Sequence, residues 1–224
     1  MVTFSPAMRA LIIAAHPDDE TIGLGGQIHR FRDPFFVHLT DGAPQGSPPD
    51  YAATRRAELE AALDIAGFRG RSIRLGFTDQ GCWSTVAEIA SELRRVIAGL
   101  RPSAIYTHPY EGGHPDHDSA AFAVQAAAGA VPRFEFTSYH NSPAGIKTGA
   151  FLPGAEHVPC AFVLSEADRE RKRRMFVCFA SQRDMLKNFA IGVELVRRAP
   201  VYDFERRPHE GVLYYETQPW GVRK

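Results

Sequence analysis

The chain has 224 residues, of which 44% are hydrophobic and 23% are charged, an ordinary composition for a folded globular protein that excludes disordered and collagen-like chains. Its 26 basic and 26 acidic residues cancel, so no net charge draws it toward nucleic acid or an anionic membrane. We therefore expect neither nucleic-acid binding nor membrane insertion, and we predict a single domain over residues 1–224.

Short apolar segments alternate with amphipathic ones as far as residue 131. Strands are predicted at Arg9 to Ala15, Pro34 to Thr40, Ser72 to Phe77 and Ser103 to His108. Helices are predicted at Tyr51 to Ala66, Val86 to Leu100 and Ser119 to Val131. This alternation is typical of an α/β protein with a mainly parallel sheet flanked by helices. Ligands of such sheets bind beyond the carboxyl ends of the strands, so the polar residues after Ala15 and after Thr107 should meet there.

The pattern after Val131 is less regular. Strands are predicted at Phe134 to Tyr139, Val158 to Ser165 and Gly211 to Glu216. The segment Glu166 to Arg197 is predicted to be mostly helical, with breaks near Ala180 and Gly192.

The cysteines and the first apolar run both indicate a cytoplasmic protein. Cys82, Cys160 and Cys178 have no C-x-x-C spacing, so we expect free thiols in a reducing compartment. The run Leu11 to Ala15 is too short to span a bilayer and lacks the basic segment that begins a secretory leader.

The first polar cluster is His16-Pro17-Asp18-Asp19-Glu20, directly after the first predicted strand. If Pro17 begins a helix, His16 and Asp19 are three residues apart and face the same way, as ligands of zinc or another borderline divalent ion. Asp18 would then point elsewhere and serve as a base. Helix capping needs only one acid, and three adjacent acids repel one another without a cation, so a metal site is favoured. For Glu20 alone, capping or packing is expected.

The second polar cluster is His114-Pro115-Asp116-His117, after the fourth predicted strand. A catalytic zinc takes three protein ligands and a water, so one of these two histidines would complete the set begun by the first cluster. The other histidine, hydrogen-bonded to Asp116, would form a dyad that handles protons. His108 and His140 are further candidates for the site or its pocket.

Together, A-H-P-D-D-E near the beginning and G-H-P-D-H later resemble the PIG-L/LmbE family of zinc-dependent N-acetylglucosaminyl de-N-acetylases. Thr40-Asp41-Gly42 and Arg55-x-x-Glu58 support the resemblance. It implies a Rossmann-like three-layer fold and a zinc cofactor, with Fe²⁺ as the alternative ion. The substrate would be a small N-acetyl amino sugar conjugate, and the sequence leaves the oligomeric state open.

The resemblance also implies a role for each matching residue. The metal ligands would be His16, Asp19 and His117. Asp18 would be the general base, and Arg55 would contact a substrate or product oxygen. His114, oriented by Asp116, would carry positive charge near the oxyanion or protonate the leaving amine. A tyrosine that stabilises the oxyanion in some relatives is replaced here by Gly112, which leaves the role vacant or passes it to a residue such as Tyr110.

We therefore predict a metal-dependent hydrolase that removes the acetyl group from an N-acetylated amino sugar conjugate. The first alternative is an amidase that acts on another N-acyl or glycosyl-thiol conjugate. The second is a relative that binds the metal without turnover, although metal binding alone would need neither Asp18 nor the pair His114 and Asp116.

Overall fold

The computed structural model describes residues 8–31, 34–68, 72–154 and 156–223. The strands in these ranges are β1 Ala10–Ala14, β2 Phe35–Pro44, β3 Ser72–Asp79, β4 Ala104–Thr107, β5 Arg133–Phe136, β6 Tyr139–Ser142, β7 Gly145–Thr148, β8 Cys160–Val163 and β9 Val193–Arg198. The α-helices are α1 Asp19–Leu24, α2 Tyr51–Ile65, α3 Val86–Leu100, α4 Pro115–Ala127, α5 Glu166–Cys178 and α6 Arg183–Leu186. Short 3-10 helices lie at Ile28–Arg30, Cys82–Ser84, Ala180–Gln182 and Tyr214–Thr217.

A seven-stranded sheet runs through the centre in the order β3-β2-β1-β4-β5-β9-β8. Strands β1 to β5 pair in parallel, whereas β9 is antiparallel to both β5 and β8. Strands β6 and β7 form a separate antiparallel hairpin. The predicted α/β fold with a mainly parallel sheet is confirmed.

Helices cover both faces of the sheet because β1 alternates its apolar side chains between them. Ile12 packs in a core cluster that includes residues of α2 and α5. Leu11 and Ile13 pack in a second cluster, with residues of α3 and α4. A strand buried on both faces reads as a continuous apolar run, which is how β1 appears in the sequence.

The order of the strands places the two polar clusters side by side. From β1 the chain moves outward to β2 and β3, then returns to form β4 on the other side of β1. In open α/β sheets the crevice at such a reversal is the usual ligand site. His16 follows β1, and the second cluster lies between β4 and α4. The predicted meeting of the two clusters is therefore confirmed.

Two predicted helix starts are wrong. Helix α1 begins at Asp19 rather than Pro17, and Asp18 before it has a φ angle of 135°. Helix α4 begins at Pro115 rather than Ser119, because the side chain of His114 caps it by accepting a hydrogen bond from the amide of Asp116. The alanine-rich run therefore continues a helix that the histidine motif has already started.

Two predictions in the second half are also wrong. The segment Glu166 to Arg197 is predicted to be mostly helical, but its last part belongs to strand β9, Val193–Arg198, which pairs on both sides within the sheet. Residues 211–216, all of which the structure describes, do not form the predicted strand. A 3-10 helix lies at Tyr214–Thr217 instead. Across the described ranges, no helix has both the length and the apolar character needed to cross a bilayer.

Candidate metal centre and active site

Asp19 lies between two histidines that come from different parts of the sequence. Its Oδ2 atom is 3.2 Å from Nδ1 of His16, and its Oδ1 atom is 3.2 Å from Nε2 of His117. The backbone amide of His16 also donates to Oδ2 of Asp19, at 2.8 Å. All three side chains are buried. The structure thus brings together the three residues that the sequence predicts as metal ligands.

Two separations, one from each carboxylate oxygen of Asp19 to a histidine nitrogen, are close to those between ligands of a divalent metal ion. Two ligands of a tetrahedral zinc ion with bonds of about 2.0–2.1 Å lie roughly 3.3 Å apart. The separations of 3.2 Å on either side of Asp19 match this value. Burial opposes ionisation, but His117 and His108 hold the pKa of Asp19 well below its usual value. The carboxylate is therefore ionised, as a metal ligand must be.

The cluster extends beyond these three residues. Donor atoms within 4.8 Å of one another occur in three overlapping groups: His16, His114 and His117; His16, Asp79, His114 and Asp116; and Asp19, His108 and His117. None of these groups holds His16, Asp19 and His117 together, although the first and the third each hold two of them. His108, which was left open in the sequence, stacks on His117 with ring centroids 4.0 Å apart. Its Nε2 atom accepts the backbone amide of Ala15 at 3.0 Å, which ties the end of β1 to the cluster.

Asp18 has an unusual backbone and a buried carboxyl group. Its φ angle of 135° is one that residues other than glycine rarely adopt. Nη2 of Arg55 donates to Oδ2 of Asp18 at 3.0 Å, and the same nitrogen donates to the carbonyl of Pro17. Burial raises the pKa of Asp18 to about 7, although Arg55 acts in the opposite direction. A carboxyl group with this pKa exchanges protons near neutral pH.

Arg55 is positioned by Glu58 of its own helix and by Ser181 of the 3-10 helix Ala180–Gln182. It lies in α2 and is 2% exposed, and its Nη1 atom is 3.5 Å from Oε2 of Glu58. Glu58 in turn accepts hydrogen bonds from the hydroxyl of Ser181 at 2.6 Å and from its backbone amide at 2.8 Å. Arg55 lines the cleft described below, but its Nη2 donor atoms are directed at Asp18 and Pro17.

The predicted hydrogen bond between the side chains of His114 and Asp116 is wrong. Nδ1 of His114 is 3.9 Å from Oδ2 of Asp116 and instead accepts the backbone amide of Asp116 at 3.1 Å. The carboxylate of Asp116 accepts the amides of Gln80 at 2.7 Å and Cys82 at 3.1 Å, and it lies 3.2 Å from Nε2 of His16. Because Nδ1 of His114 accepts, the neutral ring carries its proton on Nε2. Burial, reinforced by His16, lowers the pKa of His114 well below its usual value.

A cleft of about 240 Å³ opens beside this cluster. Six sequence-predicted residues line it: His16, Asp18, Asp19, Arg55, His114 and His117. The lining residues that sequence reasoning did not assign to the site include Asp79, Tyr139, Tyr214 and Trp220. Asp79 ends β3 at the same edge of the sheet, so the rule that led to the two polar clusters could have found it. Tyr139 and Trp220 carry no such signal, because they come from a part of the chain where the element prediction failed.

Other candidates have contacts outside this cleft. The hydroxyl of Tyr110 donates to the carbonyl of Arg206 at 2.8 Å, and Tyr110 is not among the cleft-lining residues, so it does not fill the position left by Gly112. His140 is buried 3.5 Å from Glu111 and does not line the cleft either. Oε2 of Glu20 lies 3.0 Å from Nε2 of buried His38, which agrees with the packing role expected for this acid.

Comparison with known proteins gives one family and several similar chains. The family model PIG-L, described as GlcNAc-PI de-N-acetylase, matches residues 11–128, just over half of the chain. The chain is 30% identical over 136 residues to the probable N-acetyl-alpha-D-glucosaminyl L-malate deacetylase 2 of Bacillus anthracis, covering 54% of this chain and 60% of that protein. It is 33% identical over 146 residues to the diacetylchitobiose deacetylase of Thermococcus kodakarensis, covering 58% of this chain and 54% of that protein.

Solved structures extend the similarity of the fold beyond the matched segment. The crystal structure of a deacetylase from the biosynthesis pathway of teicoplanin superposes with a TM-score of 0.68 at 20% identity. The superposition covers 88% of this chain and 99% of that one. The two proteins therefore share a fold, including the part of this chain that follows residue 128.

Proposed function

Because the chain belongs to the PIG-L family of GlcNAc-PI de-N-acetylases, we propose that it is a metal-dependent hydrolase that removes the acetyl group from an N-acetylated amino sugar conjugate. The carrying observation is the buried carboxyl group of Asp18, which lines the same cleft as His16, Asp19 and His117. A base beside a metal-binding cluster is what amide hydrolysis needs, whereas metal storage needs no base.

His16, Asp19 and His117 would hold the ion, for which we propose zinc, with Fe²⁺ as the alternative. When bound, the ion supplies Lewis acidity and lowers the pKa of a water molecule. Asp18 accepts the proton of the attacking water, while the hydrogen bond from Arg55 fixes the position of its carboxylate. His114 presents Nε2–H as a hydrogen-bond donor for the developing oxyanion. The leaving amine takes the proton that Asp18 has accepted from the water.

Amine release from a panel of N-acetylglucosaminyl conjugates tests this proposal, with metal content measured on the same samples. We expect Asp18→Asn to retain its metal and to lose about 10²–10⁴-fold in turnover, which is the usual contribution of a positioned base. We expect His16→Ala to lose the metal itself. Asp184→Asn is the matched control, because the side chain of Asp184 is 97% exposed.

Two outcomes would contradict parts of the proposal. Equal loss of metal from Asp18→Asn and His16→Ala would mean that the wrong aspartate has been assigned as the base. Full metal occupancy without amine release from any N-acyl substrate would leave a metal-binding protein without turnover. Release only from other N-acyl or glycosyl-thiol conjugates would keep the chemistry and change the substrate.

The proposed partner is a small-molecule substrate. The proposed compartment of the protein rests on its cysteines. Cys82, Cys160 and Cys178 are free thiols, of which Cys82 is buried. Free thiols are typical of a reducing environment, so the cytoplasm is the proposed location.

A further inference from the structure

Three aromatic side chains form one side of the cleft, and we call Tyr139, Tyr214 and Trp220 the aromatic wall. The ring of Trp220 lies 4.6 Å from that of His114, between centroids. Tyr214 lies 6.4 Å from Trp220 and 5.4 Å from Tyr139, and Tyr139 lies 5.4 Å from His117. The wall therefore runs from Trp220 beside His114 through Tyr214 to Tyr139 beside His117.

The segment that carries Tyr214 and Trp220 is fixed to the loop of the second motif. The amide of Tyr214 donates to the carbonyl of Gly112 at 2.8 Å. Leu213 before it is fully buried, and a Cβ atom on Gly112 would lie only 2.7 Å from its side chain. Glu216 accepts the amide of Leu213 at 2.9 Å and pairs with Arg207 at 2.6 Å. Packing and hydrogen bonds therefore fix the segment that carries Tyr214 against Gly112, in the loop that precedes the second motif.

The wall lies outside the segment that matches the family model. The match covers residues 11–128, whereas the first wall residue is Tyr139. The proposed metal ligands and the proposed base all lie inside the matched segment. The family model therefore does not cover the aromatic residues.

The charged residues that line the cleft disfavour a substrate with a negative charge. Among the described residues that line the cleft, Arg55 is the only lysine or arginine. Its Nη2 atom already donates to Asp18 and to the carbonyl of Pro17, and its Nη1 atom faces Glu58. Asp79 adds a further carboxylate to the lining. The Nε atom of Arg55 has no hydrogen-bond partner but is buried, and the residue is only 2% exposed. A carboxylate or phosphate on the substrate would therefore lose water here and reach little of this one guanidinium, which is unfavourable.

Resting on the proposed function, we propose that the aromatic wall binds the sugar ring of the substrate and selects conjugates whose remaining part carries no negative charge. Aromatic faces bury the apolar C–H face of a pyranose ring and leave its hydroxyl groups at the edge, where water and polar groups can reach them. Gln182, another cleft-lining residue, offers an uncharged polar side chain for such hydroxyl groups. The substrate class is then an N-acetylglucosaminyl conjugate of a neutral sugar or polyol.

Steady-state kinetics of the metal-loaded protein test the selection. We expect kcat/KM for diacetylchitobiose or an N-acetylglucosaminyl polyol to exceed that for N-acetylglucosaminyl malate by about 10-fold or more, the discrimination that a site gives when a buried polar group has no partner. We expect Trp220→Ala to raise KM for the neutral conjugates by about 10-fold with a smaller change in kcat, and Trp220→Phe to retain most of the affinity. Trp83→Ala is the matched control, since Trp83 is 53% exposed and does not line this cleft.

Binding measurements separate this inference from the proposed function. The chain has two tryptophans, so in a Trp83→Phe background Trp220 is the sole source of tryptophan fluorescence. We expect titration of metal-loaded Asp18→Asn/Trp83→Phe with a neutral conjugate to change this fluorescence, and N-acetylglucosaminyl malate to bind about 10-fold more weakly. If this binding preference is found but the wild-type protein turns over no conjugate, the proposed hydrolase function is wrong and the proposed role of the aromatic wall stands. Equal binding or turnover of the malate conjugate, or no change in fluorescence with any conjugate, would overturn the wall.

Discussion

Oδ1 of Asp79 lies 3.2 Å from Nε2 of His16, the ring nitrogen that does not face Asp19. Oδ2 of Asp116 lies at the same distance from this nitrogen. A histidine that offers one nitrogen to a metal usually donates the other N–H to a carboxylate, which fixes the tautomer and the orientation of the ring. Asp79 and Asp116 each place a carboxylate within reach of this second nitrogen of His16.

We expect Asp79→Asn to weaken metal binding by about 10–100-fold, because an amide holds the His16 ring less firmly than a carboxylate does. Competition with a chelator of known affinity measures this without reference to turnover. Asp184→Asn, at a side chain that is 97% exposed, should bind metal as the wild type does. Unchanged affinity in Asp79→Asn would exclude this carboxylate as a support for His16.

We expect Gly113→Ala to destabilise the protein by about 1–3 kcal/mol through overpacking. A Cβ atom at Gly113 would lie 2.0 Å from the carbonyl oxygen of Tyr139, which is backbone and cannot turn away. Urea unfolding measures the change, and amine release should fall as well, because His114 is the next residue. Gly99→Ala in α3 is the matched control: its Cβ would meet nothing within 4 Å, so we expect stabilisation by about 0.5–1 kcal/mol. Similar stabilities of the two variants would rule out the steric argument.

Substitutions of Lys172 and Glu194, which form a buried ion pair, should have strongly coupled effects on stability. Nζ of Lys172 is 2.6 Å from Oε1 of Glu194, both side chains are 1% exposed, and Glu194 also accepts the amide of Gly26 at 2.8 Å. Lys172→Met leaves a buried carboxylate without its cation, so we expect a loss of about 3–5 kcal/mol in the free energy of unfolding. Adding Glu194→Gln, which keeps an acceptor for Gly26, should restore most of it. A double mutant that is as unstable as the sum of the two single mutants would show that the pair is not coupled.

The stability contributed by Asp168 should depend on pH. Partial burial opposes its ionisation, but the hydrogen bond from Ser165 and the neighbouring Arg171 hold the pKa of Asp168 below its usual value. Because the folded pKa lies below the unfolded one, the stabilisation is complete above about pH 4 and is lost as the pH falls further. We expect Asp168→Asn to be less stable than the wild type at pH 7 and the difference to shrink toward pH 3 in urea unfolding. A difference that does not change with pH would point to a role for Asp168 other than its charge.

Local pattern was enough to predict most of the first half of the fold. Helix α3 has the predicted bounds, and α2 ends one residue before the predicted end, because period and stop signals agree there. Strand β9 was missed because its residues are placed by pairing with β5 and β8, which no local pattern encodes.

The site follows the same division. The proposed metal ligands and Asp18 lie in two short motifs of histidine and acidic residues, so their spacing is visible in the sequence. The support of His16 by Asp79 and Asp116 depends on the loop after β1, the end of β3 and the start of α4 meeting at one edge of the sheet. The link from Asp18 through Arg55 to Ser181 joins residues that are far apart in the chain, and only the folded structure brings them together.

The position of the aromatic wall after residue 128 has a consequence for how such proteins can change. The residues proposed for bond cleavage lie in one stretch of the chain, and those proposed for recognition lie in another. New specificities can then arise by recombination within the second stretch while the chemistry is inherited unchanged. A chimaera that takes this stretch from a relative would have to keep the β4–β5 register, in which Tyr106 opposes Phe134, and the ion pair of Arg197 with Glu111 across the junction.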